Sequence, residues 1–266
     1  MRSYLLLIIL MLCLLACEAA VDNVPTTVFG DIPPPPTITW NPVSSTLTPT
    51  PTVQDLILPA SPSPTSSITP EVPCRLCSPL AEHEITELSE IVSDPYDPPS
   101  PGKDDRHQGV DFAYYRSGER ASIEGEGIRA ILPGQVASSM NDRLPYGNML
   151  IIETHRSDLP PGIIRAVDIH PGESLYHLYA HLAASPQVAV GDWVDCGQLL
   201  GEVGKTGYNI PVPHLHLETR IGPADAVFES MAFYDTRATE YEMDNYRLWR
   251  MSGEFRHFDP MILFDD

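Results

Sequence analysis

The chain has 266 residues, an apolar fraction of 42% and a formal net charge of -20. That length and apolar content support one sizeable folded domain with a tail. The acidity excludes a nucleic-acid partner, because phosphate binding needs a Lys/Arg patch and none is visible, and it argues against electrostatic adhesion to an anionic cell wall.

At the amino terminus Arg2 precedes an apolar run from Leu5 to Ala16 that is too short to span a bilayer and reads as a signal-peptide core. The run closes on Leu14, Leu15, Ala16 and Cys17, which resembles the lipobox of bacterial lipoproteins. That resemblance implies removal of residues 1–16, a lipid on Cys17 and an exported protein held at the membrane facing the cell wall. Residues 17–73 are dominated by Pro, Thr and Ser, so they cannot bury a core and are expected to form a disordered tether. About 55 residues of flexible chain have a root-mean-square span of roughly 40 Å, and full polyproline extension approaches ~170 Å. The folded domain is expected over residues 74–266.

Of the five cysteines, Cys13 leaves with the signal and Cys17 carries lipid, so Cys74, Cys77 and Cys196 can form one disulfide at most. Cys74 and Cys77 stand as CxxC in an oxidising compartment, and a small disulfide loop between them is the expected pairing. Cys196, in a glycine-bounded turn, is expected to be a buried small side chain.

Ile85, Leu88, Ile91 and Val92 recur at helical spacing and predict a short helix within 82–92. Beyond the Pro-rich turn at 95–101 the pattern turns to strands, predicted over 128–132, 135–139, 149–154, 174–179, 199–203 and 214–220. The class is therefore all-β and antiparallel. Two longer interruptions, 156–172 and 223–253, read as surface insertions. The second carries Phe228, Phe233, Tyr234, Tyr241, Tyr246 and Trp249, and is expected to pack onto the body or overhang a groove.

Three patterns carry chemistry. His107 and Asp111 stand four apart with Gly109 between them; a fully extended strand would separate them by about 13 Å, so the chain must bend if both are to reach one ion. His214 and His216 alternate with Leu215 and Leu217, which places both imidazoles on one strand face. Geometry alone leaves open whether both bind metal or one acts on substrate. Tyr179 and His181 form the third pattern, at a predicted strand end.

These pieces, with Tyr146, Gly147 and Asn148 and the run Gly191, Val194, Gly197, Gly201, Gly204, Thr206 and Gly207, resemble the lysostaphin-type zinc endopeptidases from about residue 91 to 220. The resemblance implies a sandwich-like antiparallel β domain whose groove carries one zinc ion on its floor. It implies His107, Asp111 and His216 as the ligands, and His181 and His214 as catalytic residues that do not bind metal. The implied substrate is peptidoglycan peptide, with other cell-wall hydrolases as a further class of partner. The alternative reading is a catalytically silent peptidoglycan-binding or hydrolase-activating module of the same fold. The two insertions fall where such proteins often have shorter connections that wall the groove. Histidines 83, 155, 170, 177 and 257 match no motif position and read as structural or surface residues.

Overall fold

The computed structural model describes residues 76–265; the signal segment, Cys17, the tether and Cys74 lie outside them. Among the described residues there are ten strands: β1 (Val92–Asp94), β2 (Val110–Phe112), β3 (Gly127–Arg129), β4 (Gly134–Arg143), β5 (Gly147–His155), β6 (Glu173–Ala180), β7 (Trp193–Val194), β8 (Leu199–Glu202), β9 (Leu215–Pro223) and β10 (Arg256–Phe258). Eight form an antiparallel sheet in the order β1-β2-β9-β6-β5-β4-β7 with β10 also on β9, and β3 pairs with β8 apart from it. All six strands expected from periodicity are present. The segment within 82–92 is a 3-10 helix over Ile85–Ile91 that buries only Leu88, tighter than the α spacing suggested.

Strand alternation divides the core in two. Leu150 and Ile152 of β5, Leu175 and Tyr179 of β6 and Leu215 and Leu217 of β9 face inward with Leu80, Leu88 and Ile128. Met149 and Ile151 of β5 and Tyr176, Leu178 and Ala180 of β6 point the opposite way, under Phe228, Met231, Tyr246, Trp249 and Phe255. The aromatic segment thus covers what would otherwise be a bare apolar sheet face, carrying the helix Glu240–Arg250 across it. The 156–172 segment forms a short helix, Pro161–Ala166, and places Leu159 and Ile169 in the first core.

Cys77 is bonded to Cys196, with their Cα atoms 5.8 Å apart, which corrects the expected Cys74–Cys77 pairing. The reason is placement: Cys77 donates its N–H to the Ile131 carbonyl, and Gly197 donates its own to Ala130, so the two cysteines flank the same backbone stretch.

His177 is fully buried among groups that satisfy it without a charge. Thr154 Oγ1 donates to the Pro133 carbonyl and lies 3.1 Å from His177 Nε2, while the Tyr179 hydroxyl, which accepts from the Ile131 N–H, lies 2.8 Å from Nδ1. That chain of donors assigns a neutral ring with its proton on Nε2. Burial accordingly drives its pKa down to about 3 from 6.5. The unfolded chain therefore takes up this proton first on acidification. The stability this contributes is present above about pH 6.5 and declines as pH falls toward about 3, with a slope of at most ~1.4 kcal/mol per pH unit. His177→Gln should flatten that slope when urea midpoints are compared between about pH 7 and pH 4; parallel profiles for the two proteins would contradict it.

Candidate metal centre

The β2–β9 register places Asp111 directly opposite His216, and the β6–β9 register places Ala180, the last residue of β6, opposite His216 from the other side. His214, His216 and Glu218 share one face of this strip, as the alternation required. The bend between His107 and Asp111 occurs at Gly109, just before β2. Glycine is needed there because of proximity: a β-carbon would lie 2.5 Å from the Leu217 carbonyl oxygen and 2.9 Å from His216 Cε1.

His107 Nε2, Asp111 Oδ1 and His216 Nδ1 converge, at 3.1 Å, 3.0 Å and 2.8 Å for the three pairs. The outer ring atoms are already engaged: His107 Nδ1 donates to the Pro95 carbonyl at 3.0 Å and His216 Nε2 to Glu218 Oε1 at 3.1 Å. Both inner nitrogens are then left as lone pairs facing a carboxylate oxygen and each other. Three lone pairs at such distances repel unless a cation or a proton lies among them. Their spacing is close to the roughly 3.3 Å edge of a tetrahedron with ~2.05 Å metal bonds, and two imidazoles with one carboxylate are a zinc donor set, so the residues fit the ion.

In the protonated form of the cluster the inner histidine nitrogens donate to Asp111 instead of facing it as lone pairs. Burial alone would raise the pKa of Asp111, but hydrogen bonds from His107 and His216 outweigh it and hold the carboxyl well below its ordinary range. Burial likewise opposes protonation of His216, yet its hydrogen bonds to Asp111 and Glu218 and the charges of both push its pKa up to about 9.

Two more imidazoles stand at this face. His181 follows β6 in a left-handed conformation (φ 65), a strained backbone for a non-glycine residue. Its Nδ1 donates to the Thr206 carbonyl at 2.8 Å. Thr206 Oγ1 in turn bonds the Leu182 carbonyl and the Asn148 N–H, and Gly147 (φ 73) packs so closely on Thr206 that a side chain there would collide with it. This is why the Tyr-Gly-Asn and Gly-Lys-Thr-Gly segments accompany the histidines. His214 Nδ1 donates to the Val212 carbonyl at 3.0 Å, and its Nε2 lies 3.5 Å from Asp111 Oδ2. The His181 and His214 rings meet edge to face at 4.7 Å. Burial and the neighbouring His216 and His214 drive the His181 pKa down to about 3, so its Nε2 is a neutral acceptor.

All five histidine and aspartate positions line one cavity of about 620 Å³, with Asp94, Asp104, Tyr115, Tyr208, Tyr234, Tyr246 and Arg250 among its walls. The 223–253 segment therefore walls the groove as well as covering the sheet. The 156–172 segment contributes no lining residue, so the expectation that it walls the groove is corrected. A second donor group, Glu153, His155 and Asp225, is otherwise satisfied: Glu153 Oε1 accepts the Asp225 N–H at 2.8 Å, and His155 pairs with both carboxylates.

Sequence reading did not place Glu218, Arg250, Asp104 or Trp249 at the centre. Glu218 could have been found, because it continues the alternation of His214 and His216; Arg250 and Trp249 lie on a distant segment, and Asp104, three residues before His107, belongs to no motif.

Paired histidines and a carboxylate lining one cavity of an antiparallel β domain form a candidate metal centre. The model of peptidase family M23 matches residues 105–227. Among solved structures the chain is similar to a catalytic-domain variant of the prophage-encoded M23 protein EnpA from Enterococcus faecalis, at 23% identity over 52% of this chain and 85% of that one, TM-score 0.36. It is similar as well to the catalytic domain of the antimicrobial peptidase lysostaphin from Staphylococcus simulans, at 25% identity over 53% and 87%, TM-score 0.36. A third is a zinc-containing peptidase from Vibrio cholerae, at 25% identity over 48% of this chain and 32% of that one, TM-score 0.33. None of the curated proteins matches the chain.

Proposed function

We propose that the domain is a zinc-dependent endopeptidase that hydrolyses peptide bonds in the stem or cross-bridge peptides of bacterial peptidoglycan. The observation that carries this reading is the convergence of three lone pairs, from His107, Asp111 and His216, beside two further imidazoles in an open cavity. Three protein donors leave a position for water, as a catalytic site requires. Zinc held there would polarise the scissile carbonyl and bring the pKa of its water toward neutrality. His107 Nε2, Asp111 Oδ1 and His216 Nδ1 would hold one ion. His181 and His214, each tied through Nδ1 to a backbone carbonyl, line the same cavity and would take a proton from the attacking water and return it to the leaving amine. The exposed rings of Tyr115, Tyr208 and Tyr234 form the walls against which an extended peptide would lie.

Metal removal tests this directly. Chelator-treated domain should release no soluble peptide from purified peptidoglycan, and about one equivalent of zinc per chain should restore release. Zinc-loaded domain that binds several wall types and cuts none would favour the silent binding or activating module.

The same reading places the enzyme outside the cell, with its lipid on Cys17 and the 17–73 tether giving it reach into the wall. Cys17→Ala should move the full-length protein from the membrane to the soluble fraction; unchanged membrane retention would contradict the anchor.

A further inference from the structure

Arg250 is the last residue of the helix Glu240–Arg250, beyond the part of the chain that matches the family. Its guanidinium nevertheless reaches the back of the metal centre. Nη1 donates to Glu218 Oε1 at 2.7 Å, and that oxygen is the one that accepts from His216 Nε2. Nε donates to Asp104 Oδ1 at 2.6 Å, and Asp104 stands three residues before His107 on the segment that delivers His107 and Asp111. Arg250 and Asp104 expose only 10% and 7% of their side chains and Glu218 none, so these are desolvated, charge-assisted bonds rather than a surface pair. The same helix supplies the Tyr246 hydroxyl to Asp104 Oδ2 at 2.6 Å and Trp249 Nε1 to Glu218 Oε2 at 3.0 Å.

We infer that Arg250 is a positioning residue which, by bridging Glu218 behind His216 and Asp104 ahead of His107, fixes the two segments that carry the metal donors at the spacing a zinc ion requires. The inference rests on the proposed zinc reading. Its logic is that of an outer partner orienting a ligand: the carboxylate that receives His216 Nε2–H sets the ring's tautomer and angle, and a forked cation holds that carboxylate in place. A lysine offers all its N–H groups from a single nitrogen and so cannot reproduce the separate Nε and Nη1 contacts to the two carboxylates.

The experiment is a zinc dissociation constant, measured by competition with a chromogenic chelator, for the wild-type domain and for Arg250→Met, Arg250→Lys and Tyr246→Phe. Glu218 keeps Arg220 as a charge partner at 2.7 Å and Asp104 keeps Tyr246, so Arg250→Met should remain folded by circular dichroism. Its zinc affinity should fall roughly 10–100-fold, as outer-partner losses do. Arg250→Lys should fall between it and wild type, and Tyr246→Phe should lose less because the Glu218 arm is intact. The cobalt(II) absorption spectrum of Arg250→Met should also change shape, which a distant packing defect would not cause. Wild-type zinc affinity and an unchanged cobalt spectrum in Arg250→Met would overturn the inference. Should that variant fail to fold, Arg250→Lys decides in the same way: weakened zinc binding supports the role and wild-type affinity overturns it. Absence of zinc binding by the wild-type domain would instead refute the zinc reading, so the two failures are distinguishable.

Discussion

His216→Ala should abolish stoichiometric zinc binding, whereas His214→Ala should keep the ion and lose hydrolysis by roughly 10²–10⁴-fold. The asymmetry follows from where the two rings point. His216 Nδ1 sits 2.8 Å from Asp111 Oδ1, the same oxygen on which His107 Nε2 converges. His214 Nε2 faces the other carboxylate oxygen, at 3.5 Å, and is not one of the three converging donors. Loss of a donor removes one of three bonds to the ion and should weaken binding by more than the ~10–100-fold expected for an outer partner. Loss of His214 leaves the donors as they are and removes an imidazole that the proposed hydrolysis needs for proton transfer. Zinc content by atomic emission together with turnover on peptidoglycan separates the cases, and equal metal loss in both variants would refute the division of roles.

Replacing both Cys77 and Cys196 by serine should cost about 3–5 kcal/mol of stability. The bond joins positions 119 residues apart, so its loss frees a closed loop that spans most of the folded domain. It also ties the segment entering the domain to the turn before β8, on either side of the 130–131 backbone. Denaturant unfolding of the double variant reads the cost, and non-reducing peptide mapping reads the pairing. A double variant as stable as the wild type, or a mapped Cys74–Cys77 bridge, would contradict the assignment.

The parts of this protein that were legible in its sequence are those governed by strand period. His216 and Glu218 share a face because alternate residues of β9 must, His214 just before the strand continues the pattern, and Leu215 and Leu217 occupy the core for the same reason. The bend at Gly109 was legible because an extended chain could not bring His107 to Asp111. What escaped depends on contacts between segments remote in sequence. Nothing local marks Arg250 as the partner of Glu218 or Cys196 as the partner of Cys77. Strands as short as β1, β7 and β10 carry too few residues for alternation to show. The aromatic content of 223–253 signalled burial, but the need it meets, covering Met149, Ile151, Tyr176 and Leu178, exists only once β5 and β6 are paired.

The central claim is most directly tested by digesting purified peptidoglycan with the zinc-loaded domain, residues 74–266, and with its His107→Ala variant, and reading the new termini by mass spectrometry. Removing His107 Nε2 opens the donor triangle while leaving the groove walls in place. New peptide amino termini at one type of bond with the wild-type domain, and none with the variant, are the predicted result and would identify the scissile bond. Intact wall peptides after treatment with the zinc-loaded wild-type domain, or identical cleavage by both proteins, would contradict the account.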